Sequence, residues 1–370
     1  MNFLTPSAKK IDRVFLISSL LIVFAGVLIF SSASLGLLVK DGPNLGHVVF
    51  SQLFLGLALG LVGLFACSKI NYRVWRKWSF YIFIGALILN LIVFLPRLGL
   101  THGGATRWIE IGGLTFQPSE FLKLAFALYL AAWLSGMREK VKTAKWGLFP
   151  LLLILSVIAL IIFAQRDTDT FFVMTAAGLI MYLVAGGKLK HLAVIALTGL
   201  AVIFVLVISR PYLMTRITTF INPDDNPSGS GYQIQQSLIA IGSGGLSGRG
   251  FGQSAQKFIL PEPVGDSIFS VAAEEFGFLG STLLIALFVF FAIRGFKVGA
   301  RAPDQFGGLI VVGIISMIMV QSFMNMAAMM GIIPLSGMPL IFISHGGTAL
   351  FVALCEGGII LNVSRYGRLD

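Results

Sequence analysis

Val14–Leu38 reads VFLISSLLIVFAGVLIFSSASLGLL and contains no charged side chain. A helix needs about 20 predominantly apolar residues to cross the hydrocarbon core of a bilayer, so this stretch is long enough to span. Nine further stretches of the same kind follow: Val48–Ser68, Phe80–Leu95, Glu120–Gly136, Gly147–Ala164, Thr170–Ala185, Leu192–Ser209, Ser267–Ile293, Gly307–Met330 and Met338–Val363. Across the 370 residues, 56% are hydrophobic and 12% charged, against roughly 25% charged in a soluble domain. So few charges cannot coat a soluble fold of this size. The same balance excludes disorder, and two cysteines exclude a disulfide scaffold. A membrane barrel would show short alternating segments instead of continuous apolar runs. The expectation is an all-α polytopic membrane protein with about ten transmembrane helices.

The net charge of +11 reads as cationic connections held in the cytoplasm rather than as a nucleic-acid surface. With the N-terminus inside, the inner connections hold Lys9, Lys10 and Arg13; Lys69, Arg73, Arg76 and Lys77; Arg138, Lys140, Lys142 and Lys145; Lys188 and Lys190; Arg294, Lys297 and Arg301; Arg365 and Arg368. The outer side holds the smaller set Lys40, Arg97, Arg107, Arg166, Arg210, Arg216, Arg249 and Lys257, and Lys123 falls inside a span. Every inner connection is basic, which predicts an even number of spans with N- and C-termini cytoplasmic. The first apolar run is too long for a cleaved signal peptide. Cys67 and Cys355 sit at membrane depth as small buried residues, with no metal or redox role.

The whole chain, 1–370, reads as one transmembrane domain with a large extracytoplasmic loop, 210–266, between helices 7 and 8. Loops of this length are usually functional or disordered. Tyr232–Ile241 within it suits an amphipathic interfacial helix. Gly242–Gly252 holds six glycines; it reads either as a flexible turn or as a nest of backbone N–H groups for an anion. Asp266 opens the eighth helix, as a cap or as a carboxylate poised at the boundary between water and lipid. Before the fourth helix, Arg107 lies in Gly104–Gly112, and Pro118-Ser119-Glu120 suits a helix start. Glu120 and Lys123, three apart, share a helix face and can pair; charges inside spans are functional by default. Gln165-Arg166-Asp167-Thr168-Asp169-Thr170 places three charges at a tight outer turn. Glu274, Glu275 and Glu356 read chiefly as interhelical hydrogen-bonding or salt-bridging groups. Gly331–Leu340 breaks the chain before the last helix, and Ser344-His345-Gly346-Gly347 marks a weak point inside that helix.

In this order the motifs resemble the SEDS family (shape, elongation, division and sporulation), the membrane peptidoglycan polymerases. The resemblance runs from about Arg107 to Arg365. It is most specific in Gln236–Gly245 (QSLIAIGSGG), Gly248–Ser254 (GRGFGQS), Gln256-Lys257-Phe258, Leu260–Pro263, Asp266 and Glu274–Gly280 (EEFGFLG). The Gln253-Ser254-Ala255-Gln256-Lys257 run is closer to the division branch, FtsW, than to the elongation branch, RodA.

The resemblance implies a glycosyltransferase of the bacterial cytoplasmic membrane, multi-pass, acting in cell division or cell shape. It would polymerise lipid II and undecaprenyl-pyrophosphate-linked glycan. It implies Asp266 as the essential catalytic aspartate, Arg107 as the outer-loop arginine, and Glu120 and Lys123 as the fourth-helix pair. Substrate contacts are then expected from Arg107, Glu120, Lys123, Asp167, Arg249, Lys257, Glu262 and His345. The expected partners are a class B penicillin-binding protein, which supplies peptide cross-linking, and other divisome or elongasome proteins; no nucleic acid is expected. No cofactor is required, no cluster has recognisable metal-ligand spacing, and a divalent cation could share charge on the leaving group. The pattern departs in three places. Val264-Gly265 stands for His-Thr, Ser344-His345-Gly346-Gly347 for Ser-Tyr-Gly-Gly, and Arg166 and Asp169 for a proline and a glycine in Gln-Pro-Asp-x-Gly-Thr. Two other classes compete: a lipid-precursor flippase or transporter, and a non-catalytic scaffold for a transpeptidase. The transporter class lacks a visible inverted repeat, and the charges gather at the outer boundary rather than the midplane.

Overall fold

The computed structural model describes residues 11–39, 45–96, 98–102, 105–111, 114–209, 211–225 and 229–367. Lys9, Lys10, Lys40, Arg97, Arg210 and Arg368 of the charge pattern lie outside the described residues. The helices are α1 (Arg13–Ser34), α2 (Leu45–Lys69, π-helical over Ser51–Ala58), α3 (Tyr72–Ile92), α4 (Pro118–Met137), α5 (Ala144–Ala164), α6 (Thr168–Val184) and α7 (Leu189–Ser209). They continue with α8 (Pro211–Ile221) and α9 (Ser230–Ser243) in the loop, then α10 (Ile268–Ala300), α11 (Gln305–Met329) and α12 (Gly347–Tyr366).

Among the described residues seven helices, α1, α2, α4, α5, α10, α11 and α12, are long and apolar enough to cross a membrane. The other three expected spans coincide with α3, α6 and α7, and the protein is a multi-pass membrane protein of helical build. α3 begins at Tyr72, eight residues ahead of the expected Phe80, because Asn71 caps it: the Asn71 side chain accepts from Arg73 N. Its first turns therefore carry Arg73, Arg76 and Lys77, at the same end as Asp304, which accepts from Tyr72 Oη at 2.6 Å. At that end Asp12 caps α1, pairs with Arg294 at 2.9 Å and donates its backbone N–H to Ser364 Oγ, so the first and last helices start and finish together.

α11 and α12 form the buried centre. α11 packs against α10, α6 and α4, and α12 lies along α2. Glycines on α2 let those two backbones approach: Gly60 stands against Leu354 and Gly63 against Cys355. Cys67 and Cys355 are both free thiols.

Three parts differ from the expectation. The connection between α3 and α4 is not a plain loop but an antiparallel sheet, β1 (Gly99–His102), β2 (Ala105–Ile111) and β3 (Leu114–Phe116), in that order. β-Branched and aromatic residues alternate through it, and Ala105, Arg107 and Ile109 share the buried face.

The helix expected over Met338–Val363 begins only at Gly347. Residues 331–346 run as irregular backbone, because Pro334 and Pro339 lack N–H groups and side chains replace the helical ladder. Asn325 Nδ2 donates to Asp266 O and Met338 O, both at 2.8 Å, and Gln321 Nε2 to Pro339 O at 3.1 Å. Ser344 Oγ donates to Gly265 O, and Gln52 bridges Ser344 O and Gly346 N.

The glycine-rich stretch is neither a mobile turn nor an anion nest. α10 breaks at Gly277 (φ 65°), and the loop serves as a splint for the break. Arg249 N and Gly250 N donate to Glu274 O and Glu275 O, while Phe278 N and Leu279 N donate back to Gly245 O and Leu246 O. A Cβ on Gly277 would stand on the backbone nitrogen of Gly248, so both close approach and positive φ require glycine there.

Candidate functional site

The site assembles where β2, the turn between α5 and α6, α8, the start of α10 and the irregular segment 331–346 converge. Arg107 projects from the buried face of β2. Its Nη1 lies 3.6 Å from Asp167 Oδ1, its Nη2 donates to Arg166 O, and its Nε has no hydrogen-bond partner. Arg166 reaches that position through a left-handed backbone (φ 58°), which turns its carbonyl toward the arginine. Asp167 is buried and held by Thr170 Oγ1 at 2.9 Å.

Asp266 is half-buried just before α10. Its backbone carbonyl is fixed by Asn325, and the next residue, Ser267, donates to Pro261 O and accepts from Gln233 of α9. Burial pushes the Asp266 carboxyl up to about 7; the negative charges of Glu262 and Asp169 add to the rise, and Arg107 and Arg216 oppose it. Arg216, from α8, forms a two-pronged pair with Asp169 at 2.9 and 3.2 Å.

The group closes on Gly337. From the point where a Cβ on Gly337 would stand, Asp266 Oδ2 lies at 3.7 Å, Arg216 Nη2 at 3.8 Å and Arg107 Nη1 at 3.9 Å. A carboxylate that takes up a proton near neutrality thus sits within reach of two guanidinium groups. That set can remove a proton from a hydroxyl and hold an anion beside it.

Deeper in the bundle, Lys123 pairs with Glu120 at 2.9 Å and donates to Gln321 Oε1 at 2.5 Å. With Glu356 these residues line a cavity of about 10 Å³, room for roughly one water. This is a second compartment, linked upward by Ser119 Oγ, which donates to Asp167 at 3.5 Å.

The remaining expected residues divide. Glu262 is exposed and acts on Asp266 through its charge. Arg249 is held by Glu274 at 3.3 Å, and Lys257 is fully buried against Glu275, Ser32 and Gly252 O. Neither is among the charges that act on Asp266. Their positive charge neutralises the Glu274-Glu275 pair and fastens the loop to α10. His345 stacks on Phe30 and gives its backbone N–H to Val264 O at 2.6 Å. Arg216, Asp169 and Gly337 are brought into the site without having been singled out as site residues. Arg216 stands alone in a loop helix with no local pattern, and Asp169 reads only as part of the charged outer turn. Among the described residues no group of three or more His, Cys, Asp or Glu is arranged to hold a metal.

Comparison with known proteins agrees with this architecture. The family model for the cell cycle proteins FtsW, RodA and SpoVE matches residues 12–369. The stage V sporulation protein E of Bacillus subtilis (strain 168) is 38% identical over 99% of this chain and 100% of its own length. A probable peptidoglycan glycosyltransferase FtsW of Geobacter sp. (strain M18) is 36% identical over 96% and 97%. Among solved structures, a chain of a peptidoglycan synthase complex, described for its coordination of polymerization and crosslinking, superposes with a TM-score of 0.81 at 25% identity, covering 97% of this chain and 99% of that one. The rod shape determining protein RodA of Thermus thermophilus matches in fold, with a TM-score of 0.68 at 24% identity over the full length of both chains. With nearly the whole chain matched in sequence and in fold, the chain belongs to the FtsW/RodA/SpoVE family of cell cycle proteins, the SEDS family.

Proposed function

We propose that this protein is a peptidoglycan glycosyltransferase that polymerises lipid II into glycan strands at the outer face of the cytoplasmic membrane. The observation that carries the reading is the convergence of Asp266 with Arg107 and Arg216 at Gly337, at the loop end of the helix bundle. Relatives named as peptidoglycan glycosyltransferases support it.

In this reading Asp266 accepts the proton of the acceptor's 4-hydroxyl. The freed oxygen attacks the anomeric carbon of the donor chain, a C–O bond forms, and the bond to the diphosphate breaks with its electron pair leaving on the diphosphate oxygen. General-base catalysis of this kind is worth about 10²–10⁴-fold. Arg107 stabilises the charge that develops on the leaving group. One displacement at an α-linked donor gives a β-linked glycan. The lower Glu120–Lys123–Glu356 group lines the separate small cavity and is given no part in the proton transfer.

Nothing in the site supplies peptide cross-linking, so the protein works beside a class B penicillin-binding protein. The relative that sits in a complex coordinating polymerization and crosslinking supports this partnership. The test is polymerisation of purified lipid II in detergent, where there is no membrane to cross. Wild type is expected to make glycan, and Asp266→Asn to lose at least about 10²-fold in rate. A transporter or a scaffold would make none, and an Asp266→Asn variant as fast as wild type refutes the base assignment.

A further inference from the structure

α4 starts beside the site, where Ser119 donates to Asp167, and ends at Met137 on the opposite side of the bundle. The charge pattern places that side in the cytoplasm. The connection from there into α5 is tightly built. Arg138–Lys142 winds as a 3-10 turn, and α5 opens with a π-helical turn over Ala144–Leu148. Thr143 closes the first turn by donating twice to Lys140 O, from N at 3.0 Å and from Oγ1 at 2.7 Å. Val141 is fully buried, and its carbonyl accepts from Tyr182 Oη of α6 at 3.4 Å. A Cβ on Gly147 would stand on Val141 O, so the start of α5 presses directly against the turn.

This fixed backbone gathers two lysines on one indole. Lys140 Nζ lies 5.7 Å and Lys145 Nζ 5.5 Å from the centre of the Trp146 ring, while Trp133 Nε1 holds Trp146 O at 3.2 Å. Both lysines are exposed, and neither pairs with a carboxylate among the described residues; the nearby Glu139 is taken by Lys142 at 2.5 Å. Two like charges held on one ring repel each other, and an anion between them removes that cost. From Trp146 onward the exposed side chains of α5 are apolar and keep to one face: Phe149, Leu153, Val157 and Leu160 follow at steps of three and four. That strip is about 20 Å long at 1.5 Å per residue, more than half of a hydrocarbon core of about 30 Å. A cationic head thus stands directly over an apolar strip of leaflet depth.

We propose that Lys140, Lys145 and Trp146 form a binding site for the phosphate of an anionic phospholipid of the cytoplasmic leaflet, with an acyl chain lying along the Phe149–Leu160 face of α5. Lysines at this depth keep their ammonium groups at the headgroups, and an indole suits the same layer. A free phosphate ion shares the headgroup's chemistry but brings nothing for the apolar strip to hold. The site lies across the bundle from Asp266 and is independent of the reaction proposed above.

The experiment is quenching of tryptophan fluorescence in the purified full chain in detergent. Brominated phosphatidylglycerol and brominated phosphatidylcholine are the titrants, each with and without excess inorganic phosphate. The chain has five tryptophans, so the Trp146 signal is the difference between wild type and Trp146→Phe. Half-quenching of that signal is expected at about ten-fold less phosphatidylglycerol than phosphatidylcholine, the scale of two lysines acting on an anionic headgroup. Lys140→Gln combined with Lys145→Gln is expected to abolish the preference. Lys142→Gln, which alters a lysine already paired with Glu139, is expected to keep it, and inorganic phosphate is expected not to displace the lipid. All three lysines are exposed, so these variants leave the fold intact. Equal quenching by the two lipids in wild type, or a preference that survives the double substitution, overturns the proposal. An equal loss in Lys142→Gln overturns it in favour of diffuse attraction by the basic face, and displacement by inorganic phosphate overturns it in favour of a free anion.

Discussion

At the scale of single residues, the decisive quantity is the proton on Asp266. Its carboxyl is raised to about 7 by burial first, then by Glu262 and Asp169. A general base works only when deprotonated, so kcat/KM is expected to climb as pH rises through about 7 and to level off above it. Glu262→Gln removes one of the charges that raise the value, so the acid limb moves to lower pH in a pH–rate profile. An unmoved limb would mean that Glu262 is electrically remote from the base. Lys123 poses the opposite problem. It is the cation among Glu120, Glu356 and Gln321, all of them buried. Removing one partner of a buried pair costs about 3–5 kcal/mol, whereas removing both together costs far less. Lys123→Met should therefore lower the thermal midpoint strongly, and Glu120→Gln combined with Lys123→Met should recover much of it in the same denaturation experiment. Asp266 and Arg107 were legible because they sit inside a distinctive run of motifs. Arg216 was not, because a lone arginine in a loop helix carries no local pattern, and its partner Asp169 is 47 residues away.

At the scale of elements, the irregular segment 331–346 is the part on which the site most depends. Two side-chain amides of α11, one turn apart, take the place of the missing ladder, and Asn325 serves both Asp266 O and Met338 O. Asn325→Leu is expected to leave two carbonyls without a donor, at about 1–3 kcal/mol each. The result should be a lowered thermal midpoint together with a loss of kcat, because the same amide fixes the backbone of Asp266, the proposed base. A variant that loses kcat with no change in stability would separate the two roles differently. The helices themselves were readable from apolar run length, and the break near Gly331–Leu340 from its prolines and glycines. The true start of α12 was not, because it is decided by Gln52 and Asn325, residues far away in sequence. The sheet over Gly99–Phe116 escaped for a related reason. Its alternation is short, lies between two long apolar runs, and pays off only when Arg107 meets Asp167.

At the scale of the whole molecule, the loop end is built as one fastened unit. Lys257 and Arg249 spend their charge on Glu275 and Glu274, and Ser32 of α1 joins the same buried knot, donating to Glu275 at 2.5 Å. Lys257→Met should therefore weaken the fastening of the loop. Limited proteolysis is expected to cut within residues 245–262 faster in that variant than in wild type, and equal cleavage would show that the knot is not what holds the loop. Sequence alone presented these two lysine and arginine side chains as candidates for the substrate. In the fold these side chains pair with Glu274 and Glu275 of the next helix, a partnership visible only once the loop was seen folded back on α10.

The interruption at Gly277 has a mechanical result. A 33-residue helix is about 50 Å long at 1.5 Å per residue, well beyond a hydrocarbon core of about 30 Å, so as a rigid rod it would have to lean. The break lets the long lower part take a direction of its own, and the loop hydrogen bonds on both sides of Gly277 fix the angle between the two parts. Gly277→Ala, whose Cβ would meet Gly248 N, is expected to loosen that angle and to lower turnover in vesicles of short-chain and long-chain phospholipids alike, and unchanged turnover would mean that the angle is not needed.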